Sequence, residues 1–220
     1  MDMQKMTASL QDWTAALAAL EAVPAADLRD GRTGLVIVDM VNGFLTEGVL
    51  SSPRSASVLP AVVRLAQFAK EGGLPTLAFR DCHEPGCIEF ETFPPHCVRG
   101  TTEAQLAPDL EAIGGFTVVD KNSTNGALTQ GFCDWLDSRP ELARLVVCGV
   151  CTDICVMQFC QTAKKRCDQL DRPIEILVPI DTVETYDAPG HDADLCGAMA
   201  LQLMQQAGIT LKKEVAYDAR

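Results

Sequence analysis

The chain has 220 residues, of which 47% are hydrophobic and 22% charged, and this balance excludes a fibre, a coiled coil or a disordered tail. The 30 acidic and 18 basic residues give a net charge of −12, which argues against nucleic acid as a partner. No apolar run approaches the roughly 18 residues of a membrane-spanning helix, and the opening residues MDMQKMTASLQDW lack an apolar signal core. We therefore expect a cytoplasmic protein with no membrane partner.

Taken in chain order, the sequence predicts an opening helix over residues 7–23, which packs over a sheet edge or onto a partner. Short runs rich in Val, Ile and Leu then alternate with helix-like stretches, a pattern typical of a parallel sheet wrapped by helices. The predicted strands cover residues 34–39, 75–81, 116–121, 144–150, 174–179 and 209–214. The predicted crossover helices cover residues 58–71, 126–137, 153–170 and 191–207.

This pattern predicts an α/β fold, a three-layer doubly wound sheet of about six mostly parallel strands with helices on both faces. Most of the strands are apolar on both faces, as buried parallel strands are. The chain has no repeat and no flexible linker, so we expect one domain over residues 1–220, with residues 1–33 as a helical extension.

The ten cysteines of the chain are expected to be reduced. Several lie inside apolar runs such as LVVCGVCTDICV (145–156), where a disulfide would compete with strand packing. A core of this size also needs no covalent staple. We therefore treat most of them as small hydrophobic residues.

Polar residues end the predicted apolar strands. Asp39, Asp81 and Lys121 end the first three, and the fourth runs into a turn that opens a helix containing Cys155. Ligand crevices of open α/β sheets lie beyond the carboxyl ends of the strands, so these four side chains should face one crevice.

Cys155 is the candidate nucleophile of this crevice. In the first turn of a helix, the macrodipole and free backbone amides lower the pKa of a thiol and supply oxyanion donors. Asp39 could accept the thiol proton and Lys121 could orient the aspartate, which gives a Cys-Lys-Asp arrangement. Structural interpretations stay open for each residue: Asp39 as a turn cap, Lys121 as half of an exposed pair with Asp120, and Cys155 as a core residue.

Four stretches of the sequence carry a family resemblance. They are GLVIVDMVNGF (34–44), LAFRDCHEPGCIEFETFPPHCVRGT (77–101), VVDKNSTNGAL (118–128) and VVCGVCTDICV (146–156). They resemble the isochorismatase-like cysteine hydrolases and, within them, the nicotinamidases, and the resemblance runs from about residue 34 to residue 190. It implies that Cys155 is the nucleophile, that Asp39 is the base and that Lys121 completes the triad. It also implies a cis peptide bond at Val150-Cys151, which would let the backbone amides of Cys151 and Cys155 face a developing oxyanion.

The loop over residues 82–101 is the one long irregular stretch, and such a stretch in a compact domain is usually functional. Asp81, His83 and His96 offer one oxygen and two imidazoles, a set that suits a divalent Zn, Fe or Mn ion. The resemblance implies that such a metal receives a pyridine nitrogen and that Glu89 is a further ligand. Other candidates for that position are Glu84, Glu91 and water.

Two structural alternatives apply to this loop. In the first, its histidines are polar loop residues with no binding role. In the second, the loop holds a structural zinc, although its cysteine spacings do not form the usual zinc knuckle. The ligands of such a zinc would be Cys82, His83, Cys87, His96 and Cys97. The third histidine, His191, is predicted to begin a helix or to lie on the surface.

The resemblance implies a function and a binding slot. Phe44 and Phe93 align with positions that flank a pyridine ring, although both could simply pack in the core. The implied reaction is hydrolysis of a small planar amide, nicotinamide to nicotinate and ammonia, by a homo-oligomer. Two other functions stay open. One is a metal-free amidase or ureide hydrolase acting on an N-carbamoyl or biuret-like substrate, and the other is a non-catalytic metal-binding or redox-binding protein.

Overall fold

The computed structural model describes residues 2–217 of the chain. Its strands are β1 (Val23–Pro24), β2 (Thr33–Val38), β3 (Thr76–Asp81), β4 (Thr117–Lys121), β5 (Arg144–Val150), β6 (Glu175–Pro179), β7 (Val183–Glu184), β8 (Thr210–Lys212) and β9 (Val215–Ala216). Its helices are α1 (Met3–Ala18), α2 (Asn42–Leu45), α3 (Pro53–Ser57), α4 (Leu59–Gly72), α5 (Pro108–Ile113), α6 (Gln130–Asp137), α7 (Met157–Gln169) and α8 (Ala193–Gln206). No helix in this range has the length and apolar character needed to span a bilayer.

The main sheet is parallel and has the strand order β4-β3-β2-β5-β6-β8, with the short β7 also pairing with β5. All six predicted strands are therefore confirmed, most with ends within one residue of the prediction. The last strand is shorter than predicted. The chain leaves the main sheet after β8 because β9 pairs with β1 in a separate two-stranded sheet.

Alternate residues of the central strand β2 explain the three layers. Leu35 and Ile37 pack with α4 and α5 on one face, whereas Val36 and Val38 pack with α6, α7 and α8 on the other. Burial on both faces is what the continuous apolar run of this strand predicts. The prediction of a doubly wound α/β fold with helices on both faces is confirmed.

The opening helix lies earlier in the chain than the sequence predicts. Asp2 caps α1 by accepting a hydrogen bond from Lys5 N, and the helix ends at Ala18 rather than continuing to residue 23. The prediction fails at this end because Val23 belongs to β1, which pairs with Val215. The helix packs on α8, where the Trp13 indole donates a hydrogen bond of 2.7 Å to the Ala198 carbonyl.

Three crossover helices begin later than predicted. A capping residue, a 3₁₀ turn or a π-helical turn precedes each of them. The hydroxyl of Thr129 accepts from Phe132 N, so α6 follows a separate 3₁₀ turn over Gly126–Leu128. Asp192 accepts from Leu195 N at the start of α8. A π-helical turn over Thr152–Val156 precedes α7, and this turn contains the candidate nucleophile.

Gly149 in β5 is required by a close approach between two central strands. Its φ of 119° disfavours any side chain, and a Cβ atom there would lie 2.0 Å from the Val38 carbonyl oxygen. The neighbouring register pairs Val38 with Gly149 and Asp81 with Lys121. The carboxyl ends of β2, β3, β4 and β5 thus meet at one place.

Candidate active site

Lys121 is the centre of a buried charged cluster at these strand ends. Its Nζ lies 2.9 Å from Asp39 Oδ2, 2.7 Å from Asp81 Oδ1 and 3.9 Å from Cys155 Sγ. All four side chains are at least nine-tenths buried. The structure therefore brings together the four strand-end residues that the sequence placed in one crevice.

The alternative in which Lys121 forms an exposed pair with Asp120 is wrong. Lys121 is 2% exposed, and the Asp120 carboxylate instead accepts hydrogen bonds of 2.8 Å from both Arg80 and Arg99. Neighbouring residues of a strand point to opposite faces, so the Lys121 side chain points into the site and the Asp120 side chain points away from it.

Burial and charge together set the protonation of this cluster. Burial acts to lower the pKa of Lys121, but Asp39, Cys155 and Asp81 outweigh it and hold that pKa well above its ordinary value. Burial raises the pKa of Asp39 to about 6, with Lys121 opposing the shift and the Asp81 charge adding to it. For Asp81, burial is outweighed by Lys121 and the neighbouring histidines, so its pKa lies below the usual range. Lys121 and Asp81 are therefore charged at neutral pH, whereas Asp39 can exchange a proton.

The thiol of Cys155 departs from the sequence expectation. Burial raises its pKa well above the ordinary value, and the charges of Asp39 and Asp81 raise it further. Lys121 acts to lower this pKa, but its effect is too small to cancel the others. The expected lowering by a helix N-terminus does not dominate, because the sulfur is buried and the charges of Asp39 and Asp81 add to the effect of burial. The resting residue is a thiol, which must lose its proton to a nearby base before it can attack.

The turn that carries Cys155 has the backbone feature implied by the resemblance. The Val150-Cys151 peptide bond is cis. Cys151 and Cys155 both line the same cavity, and the Cys151 carbonyl accepts from the amides of Ile154 and Val156. Burial raises the pKa of the Cys151 thiol to about 12, which keeps this second sulfur protonated.

A second cluster lies on the other side of Asp81. The Nε2 atoms of His83 and His96 both lie 3.0 Å from Asp81 Oδ2, while Lys121 contacts the other oxygen, Oδ1. All three residues are buried. One carboxylate thus joins the triad to the predicted metal ligands.

The donor chemistry of this cluster fits a divalent metal. The His96 Nδ1 atom lies 2.8 Å from the Pro94 carbonyl, so Nδ1 carries a proton and donates it there. The ligand atoms of Asp81, His83 and His96 all lie within 4.8 Å of one another. With Nδ1 donating to a backbone carbonyl, Nε2 of His96 is the ring atom that faces the Asp81 carboxylate. This second-shell arrangement is common for metal-binding histidines, and one oxygen with two nitrogens suits zinc or a similar ion.

The structure separates the candidates for a further ligand. Glu89 Oε1 lies 3.6 Å from His83 Nε2, and its other oxygen accepts from Thr124 N at 2.9 Å. Glu84 instead forms an ion pair with Arg99, and Glu91 is exposed. Glu89 is therefore the acidic side chain of the loop that faces the cluster.

The cysteine-based zinc site has no support in residues 2–217. The clusters of potential ligands found there are Asp81, His83 and His96, and a separate group of Asp153, His191 and Cys196. Cys87 approaches His83 from the Nδ1 side at 3.4 Å, and Cys97 packs against Gly43 and Glu103. The loop cysteines thus do not converge on one point.

A cavity of about 260 Å³ connects the two clusters. Its polar lining includes Asp81, Glu89, His96 and Cys155, and its aromatic lining includes Phe44 and Phe93. The ring centroids of Phe44 and Phe93 lie 5.7 and 6.3 Å from that of His96. A small concave site with apolar walls and a few oriented polar groups suits a small planar ligand.

Sequence reasoning missed several residues of this region. Phe90 packs edge-on against both His83 and His96, with ring centroids 5.2 and 5.7 Å away. Tyr186 lines the cavity from the loop before α8. His191 does not begin a helix: it is half-buried and contacts both Tyr186 and Asp153. Aromatic residues make up only 5% of the chain, and this scarcity was the available signal for Phe90 and Tyr186.

Known proteins resemble this chain in sequence and in fold. The isochorismatase domain family matches residues 33–209. Nicotinamidase 1 of Arabidopsis thaliana is 35% identical over 206 residues, which cover 84% of this chain and 84% of that protein. The structure of pyrazinamidase of Pyrococcus horikoshii in complex with zinc is 25% identical, with a TM-score of 0.65, and covers 82% of this chain and 98% of its own. N-carbamoylsarcosine amidase of Thermoplasma acidophilum shares the fold at 22% identity, with a TM-score of 0.68 over 86% of this chain and 99% of its own.

The family match covers most of the chain, and the match to the Arabidopsis protein covers most of both sequences. The solved structures show that the fold is shared as well. This chain therefore belongs to the isochorismatase family of hydrolases.

Proposed function

We propose that this hydrolase cleaves nicotinamide to nicotinate and ammonia. The observation that carries the proposal is that one small cavity is lined by Cys155 at one place and by Asp81, His96 and Glu89 at another. A planar amide whose ring carries a nitrogen can meet both clusters at once. The 35% identity to a nicotinamidase supports the same substrate.

The aromatic walls bind and orient the ring. Phe44 and Phe93 would flank it, and the ring's apolar contact area would direct the carboxamide toward Cys155. Asp81, His83 and His96, with Glu89 beside them, would hold a divalent metal. When bound, that metal supplies a Lewis-acid contact for the pyridine nitrogen and so favours ring amides that carry one.

The first half of the reaction forms a thioester. The Cys155 proton passes to Asp39 while the sulfur attacks the carboxamide carbon, and Lys121 stabilises the developing thiolate from 3.9 Å. The backbone amides of Cys151 and Cys155 would stabilise the oxyanion. The C–N bond then breaks, Asp39 gives the proton to the leaving nitrogen, and ammonia departs.

The second half releases the acid. A water molecule attacks the thioester carbon and gives a proton to Asp39. The C–S bond breaks, and Cys155 recovers that proton. Asp39 therefore serves as base and acid twice in each cycle, a task that suits a group whose pKa is raised to about 6.

The test is ammonia release by the purified, metal-loaded protein from nicotinamide, benzamide, biuret and an N-carbamoyl amino acid. We expect nicotinamide to be the best substrate and benzamide, which lacks the ring nitrogen, to be poor. Cys155→Ala should lower the rate at least about a thousandfold. Cys133→Ala, a half-buried cysteine outside the site, is the matched control and should leave the rate unchanged.

Two results would reject the substrate assignment. The first is faster release from the N-carbamoyl compound or biuret than from nicotinamide, which would favour a ureide hydrolase. The second is equal rates for nicotinamide and benzamide. Normal turnover by Cys155→Ala would reject the mechanism itself.

A further inference from the structure

His191 connects the turn that carries Cys155 to the wall of the cavity. Its Nε2 lies 2.7 Å from Asp153 Oδ2, and its Nδ1 lies 2.8 Å from the Tyr186 carbonyl. Its ring also stacks on the Tyr186 ring, with centroids 4.1 Å apart and planes only 7° from parallel. One side chain thus makes three directed contacts with two segments of the site.

Asp153 is placed where its orientation matters. It lies in the Thr152–Val156 turn, between Cys151 and Cys155, whose amides are the proposed oxyanion donors. Its Oδ1 atom is buried and, within residues 2–217, has no hydrogen-bond partner. His191 is therefore the hydrogen-bonding partner that fixes this carboxylate, and through it the turn.

Tyr186 gives the same histidine a second route to the site. Tyr186 lines the cavity together with Cys151, Ile154 and Cys155. Its loop is closed by the pair of hydrogen bonds between Ala188 and His191. A stacked, nearly parallel ring pair restricts the rotation of both side chains, so the position of Tyr186 depends on His191.

We propose that His191 is a positioning residue for the amide hydrolysis, holding the Asp153 turn and the Tyr186 wall in one fixed arrangement. The proposal rests on the proposed function for its kinetic consequence, whereas its structural consequence can be measured without any substrate. His191 does not contact the reacting atoms; it acts through the turn and through the wall. Because oxyanion donors act most strongly in the transition state, their displacement lowers kcat more than it raises KM.

A metal bound by Asp153, His191 and Cys196 is the competing interpretation, since these three side chains lie close together. The 2.7 Å distance from His191 Nε2 to Asp153 Oδ2 favours a direct hydrogen bond. Two ligand atoms on a tetrahedral zinc, each about 2.0–2.1 Å from the ion, stand about 3.3 Å apart. The 2.7 Å pair would have to open further to admit an ion than the 3.0 Å pairs of the Asp81 cluster. Cys196 is thus a neighbour of the pair, and its removal separates the two interpretations.

The kinetic test compares His191→Ala, His191→Gln and Cys196→Ala with the wild-type protein. Turnover is divided by the amount of protein in which iodoacetamide labels Cys155. We expect kcat to fall about 10- to 100-fold in His191→Ala, with a smaller change in KM. His191→Gln, whose amide nitrogen can still donate to Asp153, should recover most of the lost kcat. Cys196→Ala should match the wild type, and a loss equal to that of His191→Ala would overturn the proposal in favour of a metal.

The structural test is hydrogen exchange of the same proteins without substrate, followed by mass spectrometry. We expect faster exchange in peptides covering residues 151–156 and 183–188 in His191→Ala, and no change there in Cys196→Ala. Unchanged exchange in both segments would overturn the proposal. A wild-type protein inactive on nicotinamide would refute the proposed function alone, and the exchange result would still decide the role of His191.

Discussion

At the scale of single residues, the site depends on one buried cation between two buried carboxylates. Lys121 contacts Asp39 at 2.9 Å and Asp81 at 2.7 Å, and none of the three is more than 2% exposed. A buried ion pair contributes little net stability, but removal of one partner leaves uncompensated charge in a medium of low polarity. Lys121 therefore supports the fold as well as the proposed chemistry.

Replacement of Lys121 tests this dependence. We expect Lys121→Met to lower the free energy of unfolding by about 3–5 kcal/mol, because two carboxylates lose their cation. Denaturant unfolding measures the change. The control is Lys213→Met, an exposed lysine that should change the free energy by less than about 0.5 kcal/mol. Equal stabilities of the two variants would contradict the account of the buried cluster.

The pH dependence of activity tests the role of Asp39. Asp39 must be ionised to accept the thiol proton, and burial raises its pKa to about 6. Above that pH the carboxylate is present, and below it the base is lost, so kcat/KM for nicotinamide should fall as the pH drops through about 6. An ordinary aspartate, with a pKa of about 3.9, would keep the rate constant to much lower pH.

Acid also releases metal ions from proteins by protonating their ligands. The metal content of the protein should therefore be measured at each pH, and the profile taken where that content is constant. A kcat/KM that stays level from pH 7 to pH 5 at constant metal content would exclude Asp39 as the base with this pKa.

The sequence predicts the residues of the site better than their state. Asp39, Asp81 and Lys121 could be found because each ends an apolar strand, and Cys155 because it opens the following helix. The direction of the Cys155 pKa could not be found, since it depends on the burial and carboxylates around the sulfur. The contacts of His191 could not be found either, because its partner Asp153 is 38 residues away in sequence and only the fold brings the two side chains together.

At the scale of elements, continuous apolar runs predict the strands of the main sheet, and short local pairings escape prediction. The two-residue strands β1, β7 and β9 carry no periodic pattern, and they form because tertiary contacts bring their partners close. The π-helical turn before α7 likewise has no sequence period of its own. That turn carries the candidate nucleophile, so the element without a sequence period is the one on which the proposed function depends most.

A pair of glycine substitutions tests the packing of the strand that leads to this turn. Gly149→Ala places a Cβ 2.0 Å from the Val38 carbonyl oxygen at a φ of 119°, so we expect a loss of stability of about 3 kcal/mol or more. Gly197→Ala, inside α8 with no heavy atom within 4 Å of the added methyl group, should stabilise the protein by about 0.5–1 kcal/mol. Thermal or denaturant unfolding of both variants measures the difference, and a tolerated Gly149→Ala would refute the close strand approach.

At the scale of the whole molecule, the doubly wound sheet places the site where four strand ends and the long loop after β3 meet. Asp39, Asp81 and Lys121 come from three adjacent strands, and His96 comes from the long loop after the second of these. The order of these residues along the chain does not by itself bring them together. The parallel register of the strands does so, because it aligns their carboxyl ends. The whole arrangement predicts one activity that needs both the triad and the metal cluster.

The most direct measurement of that prediction is ammonia release from nicotinamide by the full chain before metal removal, after removal by a chelator, and after a divalent ion is restored. We predict that release is lost with the metal and returns with it, while Asp81→Asn stays inactive after the ion is added back. Undiminished release by the metal-free protein would contradict the account, since Cys155, Asp39 and Lys121 would then suffice without the Asp81, His83 and His96 cluster.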